Sequence, residues 1–412
     1  MKILWVKPGK LLPLDTGGKL RTYNILRHLA ASHELTYLSY YNGKHDELYE
    51  QEVLSHLPGT ISIAAGSDPP KGARRHLDYL VHLASRAPYA VSQFVDPQVR
   101  KLLGQWISQR RFDVAVCDFL SSTLNFPERL GIPTALFQHN VESILWKRKA
   151  EVESNPFERA VFHLEYSKMK RFEPKQVRRF HHVIAVSNAD RDAMSAMVDP
   201  SHISVVPTGV DLSKYRYDAD ARPETPLVVF TGSMDWQPNI DGVEFFCKDI
   251  WPRVTEKVPA ARFRIVGRDP HPRVKELAGS SVEVTGTVPS VVDHLRAAAV
   301  FVVPLRIGGG TRIKIYEGMA MGKATVSTTI GAEGLDVQHG RDILLEDRPA
   351  GFADAILTFL QNEEIRRRYE AAAATTARKY DWSVITQQFV KVLETTISAA
   401  PHRPEPVTPP VV

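Results

Sequence analysis

Residues 303–328 read VPLRIGGGTRIKIYEGMAMGKATVST, and within this stretch a strand, a glycine loop, a helix, a turn and a second strand follow one another. Pro304 ends the first apolar run, and Gly308, Gly309 and Gly310 form a loop without side chains. Such a loop lets backbone N–H groups approach an anion, and a helix N-terminus behind it favours negative charge. Thr311 has the side chain of an N-cap for that helix. Lys314 and Glu317 are three positions apart and share one helix face, while Gly318 and Gly322 allow the helix to lie close to a neighbour. A cation beside the loop and a carboxylate one turn deeper suit a nucleoside diphosphate, with Lys314 on phosphate oxygens and Glu317 accepting from ribose hydroxyls. The plainer alternative is a glycine turn followed by a surface Lys–Glu pair.

The same alternation runs through the whole chain. Short β-branched or aromatic runs at 3–7, 35–40, 113–118, 134–137, 183–186 and 203–206 are separated by helical patterns, and a second set follows at 227–231, 261–266, 282–285, 300–303, 325–328 and 343–345. This is the signature of βαβ units and mostly parallel sheet. Residues 211–226 are polar, carry Pro223 and Pro226 and keep neither period, so the linker is expected there. The expected division is residues 1–210, a linker at 211–226, a second domain at 227–380, a helix at 381–399 and a Pro-rich tail at 400–412. A chain of 412 residues exceeds what one core supports, which agrees with two domains.

A hydrophobic share of 43% and a charged share of 24% exclude a disordered chain. The net charge is +5, and residues 147–182 alone hold ten Lys or Arg against five Glu. A basic helical stretch of this kind meets anionic lipid headgroups or is a solvated face laced with ion pairs. Cys117 and Cys247 lie far apart in apolar surroundings and read as reduced core thiols. The first apolar run breaks at Lys7 and Pro8, so no signal peptide is expected, and the longest apolar run, 297–305, is too short to span a bilayer. A cytoplasmic protein, with peripheral contact to the inner membrane face through residues 147–182, is the expectation.

Read with its neighbours, the 303–328 string resembles the donor-site signature of the retaining glycosyltransferase family four, within the GT-B superfamily. VPTGVD at 206–211, IVGR at 265–268, VTGTV at 284–288, GAEGL at 331–335 and the segment 380–382 agree in order and spacing, and the resemblance is weakest over 41–111. It implies an α/β fold of two doubly wound, Rossmann-like domains facing each other across a cleft, with the C-terminal helix crossing back to the first domain. It also implies Gly286 and Val288 at the base of the donor, Gly17 and Gly18 facing its diphosphate, and His139 near the reacting sugar carbon. Many members carry two Glu eight positions apart. Here the second is Glu317 and the first is replaced by Gly309, as in a subgroup with a glycine-rich GGGTR loop. Many also place an Arg and a Lys after the first strand of the second domain, and GSMDWQPN at 232–239 contains neither. The phosphate charge therefore falls to Lys314, with Arg312 or Arg268 assisting.

His139 also stands out by position, at the carboxyl end of the strand 134–137, where ligands of open α/β sheets bind. No GxGxxG occurs, which argues against a dinucleotide oxidoreductase. Neither Asp-x-Asp string, at 190–192 or 218–220, follows a strand, so no metal and no cofactor are expected beyond the donor. The expected activity is metal-independent transfer of a hexose or related sugar, with retention, from a nucleoside-diphosphate sugar to a hydroxyl of a glycan, a lipid-linked glycan or a small molecule, and no nucleic-acid partner. An epimerase of the same fold and a catalytically silent sugar-nucleotide or glycan binder are the rivals.

Overall fold

The computed structural model describes residues 1–65, 79, 85–153, 155–221, 223–307 and 312–399. Two compact units account for the chain: Met1–Val206 with Thr386–Val412, and Pro207–Ile385.

The first unit is built on a fully parallel seven-stranded sheet in the order β3-β2-β1-β4-β5-β6-β7. Its strands are β1 (Lys2–Pro8), β2 (Glu34–Tyr41), β3 (Thr60–Ala64), β4 (Val114–Asp118), β5 (Thr134–Phe137), β6 (His182–Ala185) and β7 (Ile203–Val205). Helix α1 (Gly17–Ala30) connects β1 to β2, and α2 (Glu47–His56) connects β2 to β3. Helices α3 (Pro97–Ser108), α4 (Glu142–Val152), α5 (Pro156–Arg179) and α6 (Asn188–Met194) complete the crossovers named here. The central strands are apolar on both faces, as helices on both sides of a parallel sheet require, and Val114 to Asp118 are all buried. The edge strand β3 has no counterpart among the runs read from sequence. Only Ile63 of its five residues is buried, so its apolar signal is weak.

The second unit repeats the plan with six parallel strands in the order β10-β9-β8-β11-β12-β13. These are β8 (Glu224–Thr231), β9 (Arg262–Val266), β10 (Val282–Gly286), β11 (Ala298–Val303), β12 (Ala324–Ser327) and β13 (Leu344–Leu345). Helices α7 (Gln237–Phe245), α8 (Trp251–Lys257), α9 (Val291–Ala297), α10 (Ile313–Ala320), α11 (Pro349–Gln361) and α12 (Glu363–Ala377) flank them, and α13 (Trp382–Ala399) follows. In both sheets the strand order reverses beside the first strand of the unit, between β1 and β4 and between β8 and β11, and a crevice opens at such a point.

Residues 207–210, ahead of the expected linker, are tied to the second unit. Val210 N–H donates to the Tyr380 carbonyl at 2.7 Å, and the Val210 carbonyl accepts from Trp382 N–H at 3.3 Å. Strand β8 begins at Glu224, three residues before the expected 227, because Glu224 pairs with Ala298 ahead of a register irregularity. The basic stretch 147–182 is two helices rather than one: α4 and α5 are separate and pack on each other. Residues 400–412, expected as a tail, lie outside the described residues.

Within the first unit, Phe389 of α13 is fully buried and packs on Trp5 of β1 and Phe137 of β5, each at 5.2 Å between ring centroids. Removing the ring leaves a cavity that this two-strand contact cannot close. Phe389→Ala should destabilise the chain by about 3–5 kcal/mol in chemical denaturation.

His182 on β6 is buried with Nε2 2.8 Å from Ser204 Oγ, and burial, aided by His202, lowers its pKa to about 4. The folded form therefore holds it neutral, and its contribution is complete above ~6.5, the free imidazole value, and lost as pH falls from there toward about 4. Urea unfolding at pH 7 and pH 5 should show a smaller loss of stability in His182→Gln than in the wild type. Equal losses would contradict this account.

Candidate functional site

The second unit's switch point is lined by the ends of β8 and β11. Lys314, in the first turn of α10, brings its ammonium to the end of β8: Nζ donates to Asn239 Oδ1 at 3.1 Å and lies 4.3 Å from the centroid of Phe230. Asn239 is held in turn, its amide nitrogen donating to the Ser233 carbonyl at 2.8 Å. A Cβ on Gly232 would fall 2.7 Å from Lys314 Nζ, so only glycine leaves room for the ammonium there. Burial, then Arg312, lowers the Lys314 pKa to about 7, against the pull of Glu317. Arg268 reaches the same loop from the end of β9, with Nε donating to Ser233 Oγ at 3.0 Å. Arg312 is buried in the cap position of α10, its guanidinium 5.9 Å from the half-exposed ring of Trp236.

Helix α10 begins at Ile313 with Arg312 as its cap, so the cap expected at Thr311 is displaced by one residue. Gly308, Gly309, Gly310 and Thr311, the loop on which the sequence reading rests most, lie outside the described residues. Gly318 and Gly322 do what their spacing suggests: added Cβ atoms would meet Phe301 at 2.6 Å and Tyr217 at 2.1 Å. Glu317 is partly buried and accepts from the Tyr215 hydroxyl; burial raises its pKa, opposed by that bond, Lys214 and Lys314. Gly286 ends β10 and Val288 follows it, two strands from β8 on the same C-terminal edge, and Gly286 has a φ of +70° with open space where a Cβ would be. Lys314, Arg268 and Arg312 are therefore gathered around one short loop, Glu317 stands one turn along the helix, and the residues expected at the base lie at the far strand.

In the first unit the switch point holds His139, Asp118, Lys7 and the start of α1. His139 follows β5 and is 4% exposed. Arg21 NH1 lies 2.9 Å from His139 Nδ1, and since a guanidinium only donates, Nδ1 accepts and the ring proton sits on Nε2. That proton is donated to Asp118 Oδ1 at 2.7 Å. Burial lowers the His139 pKa to about 4 despite the neighbouring carboxylate. Both ring nitrogens are thus taken, and the ring is clamped against Phe119 at 3.9 Å between centroids. What this arrangement leaves for chemistry is the position of the backbone after β5, which His139 anchors. Gly17 and Gly18 open α1 behind the cap Thr16, and a Cβ on Gly18 would come within 2.8 Å of Phe119, so glycine is what allows the helix start this close.

Three partners were not read from the sequence. Asp118 stands at the end of an apolar strand and could have been marked by that position. Asn239 and Tyr215 carry no local signal, because each acts through a residue distant along the chain. Glu142 opens α4, and burial, then Glu173, raises its pKa to about 7. Glu173 accepts from the backbone N–H groups of Glu142 at 2.8 Å and Ser143 at 3.0 Å, which fixes the turn after His139.

Comparison with known proteins finds glycosyltransferases. Residues 16–214 match the family model described as Glycosyltransferase Family 4, and residues 225–362 match the one described as Glycosyl transferases group 1. The phosphatidyl-myo-inositol mannosyltransferase of Mycobacterium tuberculosis is 30% identical over 227 residues, 52% of this chain and 59% of that protein. The chain thus spans 59% of the length of that curated relative. A 44.6 kDa uncharacterized protein from the cps region of Klebsiella pneumoniae is 21% identical over 81% of this chain and 91% of its own. Among solved structures, Anabaena HepE in complex with UDP and glucose superposes with a TM-score of 0.63 at 16% identity, over 96% of this chain and 100% of that one. Sucrose-phosphate synthase of Thermosynechococcus elongatus gives 0.67 at 16% identity, over 97% and 99%. These likenesses agree on two Rossmann-like α/β domains of the GT-B kind. Both family models, matched in order over 16–214 and 225–362, are described as glycosyltransferases, and the chain is similar to such proteins in both units.

Proposed function

We propose that the chain moves a sugar from a nucleoside-diphosphate sugar to a hydroxyl acceptor, with retention and without a metal. The observation that carries this reading is the Lys314 ammonium at the switch point of the second unit, held by Asn239 and Phe230 and bonded to no carboxylate among the described residues. As the bond from the anomeric carbon to the diphosphate breaks, negative charge grows on the leaving oxygens. A pre-placed cation with the N-terminus of α10 stabilises that charge without reorganisation. Arg268 and Arg312 add positive charge around the same loop, and Glu317, one turn along the helix, would accept from ribose hydroxyls. Gly308, Gly309, Gly310 and Thr311 would add backbone N–H groups, and Gly286 and Val288 apolar contact to the base. HepE is solved with UDP and glucose, which supports a nucleotide-sugar donor here as well.

The acceptor reading that the surface supports is a lipid-linked or anionic-membrane-bound one. Lys147, Arg148 and Lys149 on α4 and Arg159, Lys170 and Arg171 on α5 are exposed, and Phe157 beside them is 69% exposed. Among the described residues no helix is long and apolar enough to cross a membrane, so contact would be peripheral.

A thermal-shift screen of nucleoside diphosphates should find one that raises the melting temperature, since a ligand of the folded form stabilises by mass action. Lys314→Ala should weaken that nucleotide by about 1.5–3 kcal/mol, the worth of a charged hydrogen bond, with unchanged affinity rejecting the assignment. Because the free Lys314 has a pKa of about 7 and a bound diphosphate raises it, affinity should be full below pH 7 and decline as pH rises above it. Calorimetric titration at pH 6.5 and pH 8.5, in wild type and Lys314→Ala, reads this directly.

Flotation with phosphatidylglycerol vesicles should show binding at low salt that weakens at moderate salt and in Phe157→Ser. No flotation at either salt removes the membrane reading.

A further inference from the structure

Five of the six tryptophans are buried or half-buried, and the sixth, Trp236, is 42% exposed. It stands between the C-terminal end of β8 and the start of α7, in the loop that carries Ser233. An exposed apolar side chain standing alone would mean little. This one is fixed and has charged company. The Trp236 carbonyl accepts from the N–H groups of Asn239 and Ile240 at 2.9 and 3.1 Å, so its backbone is part of the first turn of α7. The Arg312 guanidinium lies over the ring, 5.9 Å from its centroid.

The turn that begins at Trp236 ends at Asn239, whose side chain accepts from Lys314 Nζ at 3.1 Å, so ring and ammonium belong to one site. Helix α7 then packs on the segment after β11. A Cβ on Gly242 would fall 3.0 Å from Leu305 and from the Pro304 carbonyl, and Arg306 pairs with Asp241 through two bonds of 3.1 and 2.6 Å. With Arg306 tied to the helix, the next side chain, Ile307, is left 36% exposed. Strand β11 neighbours β8 on the side away from β9 and β10. Apolar surface therefore lines the β11 side of Lys314, whereas the strand end expected to meet the base, β10, lies on the other. A diphosphate held at Lys314 carries a nucleoside at one end and a sugar at the other. The C–H face of a pyranose is apolar and slightly positive, which suits the negative face of an indole.

We infer that the Trp236 indole is a platform on which the sugar ring of the donor stacks, with Ile307 extending the apolar wall, and that the site takes a pyranose presenting an unbroken C–H face. This rests on the proposed transferase reading and deepens it, because it names the side chain that recognises the sugar rather than the nucleotide. The stretch GSMDWQPN at 232–239 offers the diphosphate no basic side chain, and what it offers instead is this ring.

The test is calorimetric titration of UDP against UDP-glucose, and of GDP against GDP-mannose, into the full chain as wild type, Trp236→Ala and Trp236→Phe. Trp236→Ala should weaken the sugar conjugate about tenfold or more, the loss of one stacked aromatic face, and the bare nucleotide by less than about threefold. Trp236→Phe keeps a flat ring and should recover most of the loss. Lys314→Ala, by contrast, should weaken both members of a pair alike. Because the ring is exposed, the variants should melt within a few degrees of the wild type. Trp236→Leu, apolar but without a flat face, replaces the Ala variant if that does not fold. Equal losses for nucleotide and conjugate place the indole on the base or the diphosphate and overturn the inference, as does no loss for either. A wild type that binds a bare nucleotide and neither conjugate also overturns it and leaves the nucleotide site standing. If neither nucleotides nor conjugates bind the wild type, the transferase reading falls and the platform with it.

Discussion

The buried carboxylate of Asp118 is the constraint on which the first unit's binding crevice depends. Burial alone would raise its pKa, but Lys7, then His139 and Thr22, outweigh that and lower it. It ties β1 through Trp5, α1 through Thr22 and the turn after β5 through His139, all at once. Breaking one of these bonds leaves an ionised group short of partners in a place water does not reach, so the three elements are fixed together rather than in pairs. The tautomer of His139 follows from the same network, since Arg21 can only donate to one nitrogen and Asp118 as a carboxylate can only accept from the other. His139 therefore belongs to the scaffold that fixes the turn after β5, with both ring nitrogens and one ring face engaged inside the protein.

How much of this could be read from the residues depends on how local each signal was. Parallel strands buried on both faces stand out as unbroken apolar runs, and every such run read from sequence corresponds to a strand within a few residues. The edge strand β3 did not stand out because Thr60, Ile61 and Ser62 are only half-buried. The basic stretch 147–182 has one composition and two helices, because Glu153 and Asn155 end the first and cap the second: Asn155 Oδ1 accepts from Phe157 N–H at 2.9 Å. Part of its positive charge is also internal, with Arg179 donating to the carbonyls of Phe126 and Pro127 at 2.7 and 2.9 Å. Charge counting cannot separate such an arginine from one that faces solvent.

At the candidate site the helix face carrying Lys314 and Glu317 was legible, since three-residue spacing is a property of the helix itself. Their partners were not. Asn239 precedes Lys314 by 75 positions, and Tyr215 precedes Glu317 by more than a hundred, so only the closed sheet brings them together. Lys7 was invisible for the same reason, since the Phe119 ring on which it sits lies more than a hundred positions along the chain.

The two units share a further device. Each places one lysine at its switch point, Lys7 over Phe119 at 4.1 Å and Lys314 over Phe230 at 4.3 Å, and neither ammonium is paired with a carboxylate among the described residues. An aromatic face holds a cation by about 0.5–2 kcal/mol and uses none of its N–H donors on a charged acceptor. A carboxylate in the same place would hold it more tightly and would repel an incoming phosphate. The ring therefore orients the ammonium without neutralising it, and the positive potential stays available to an anion that arrives from solvent. Burial adds to this, since a poorly hydrated ammonium has little water to give up when a phosphate oxygen reaches it. A site for a multiply charged leaving group needs charge that is fixed before the reaction and unspent until then, and a lysine seated on an aromatic ring meets both conditions.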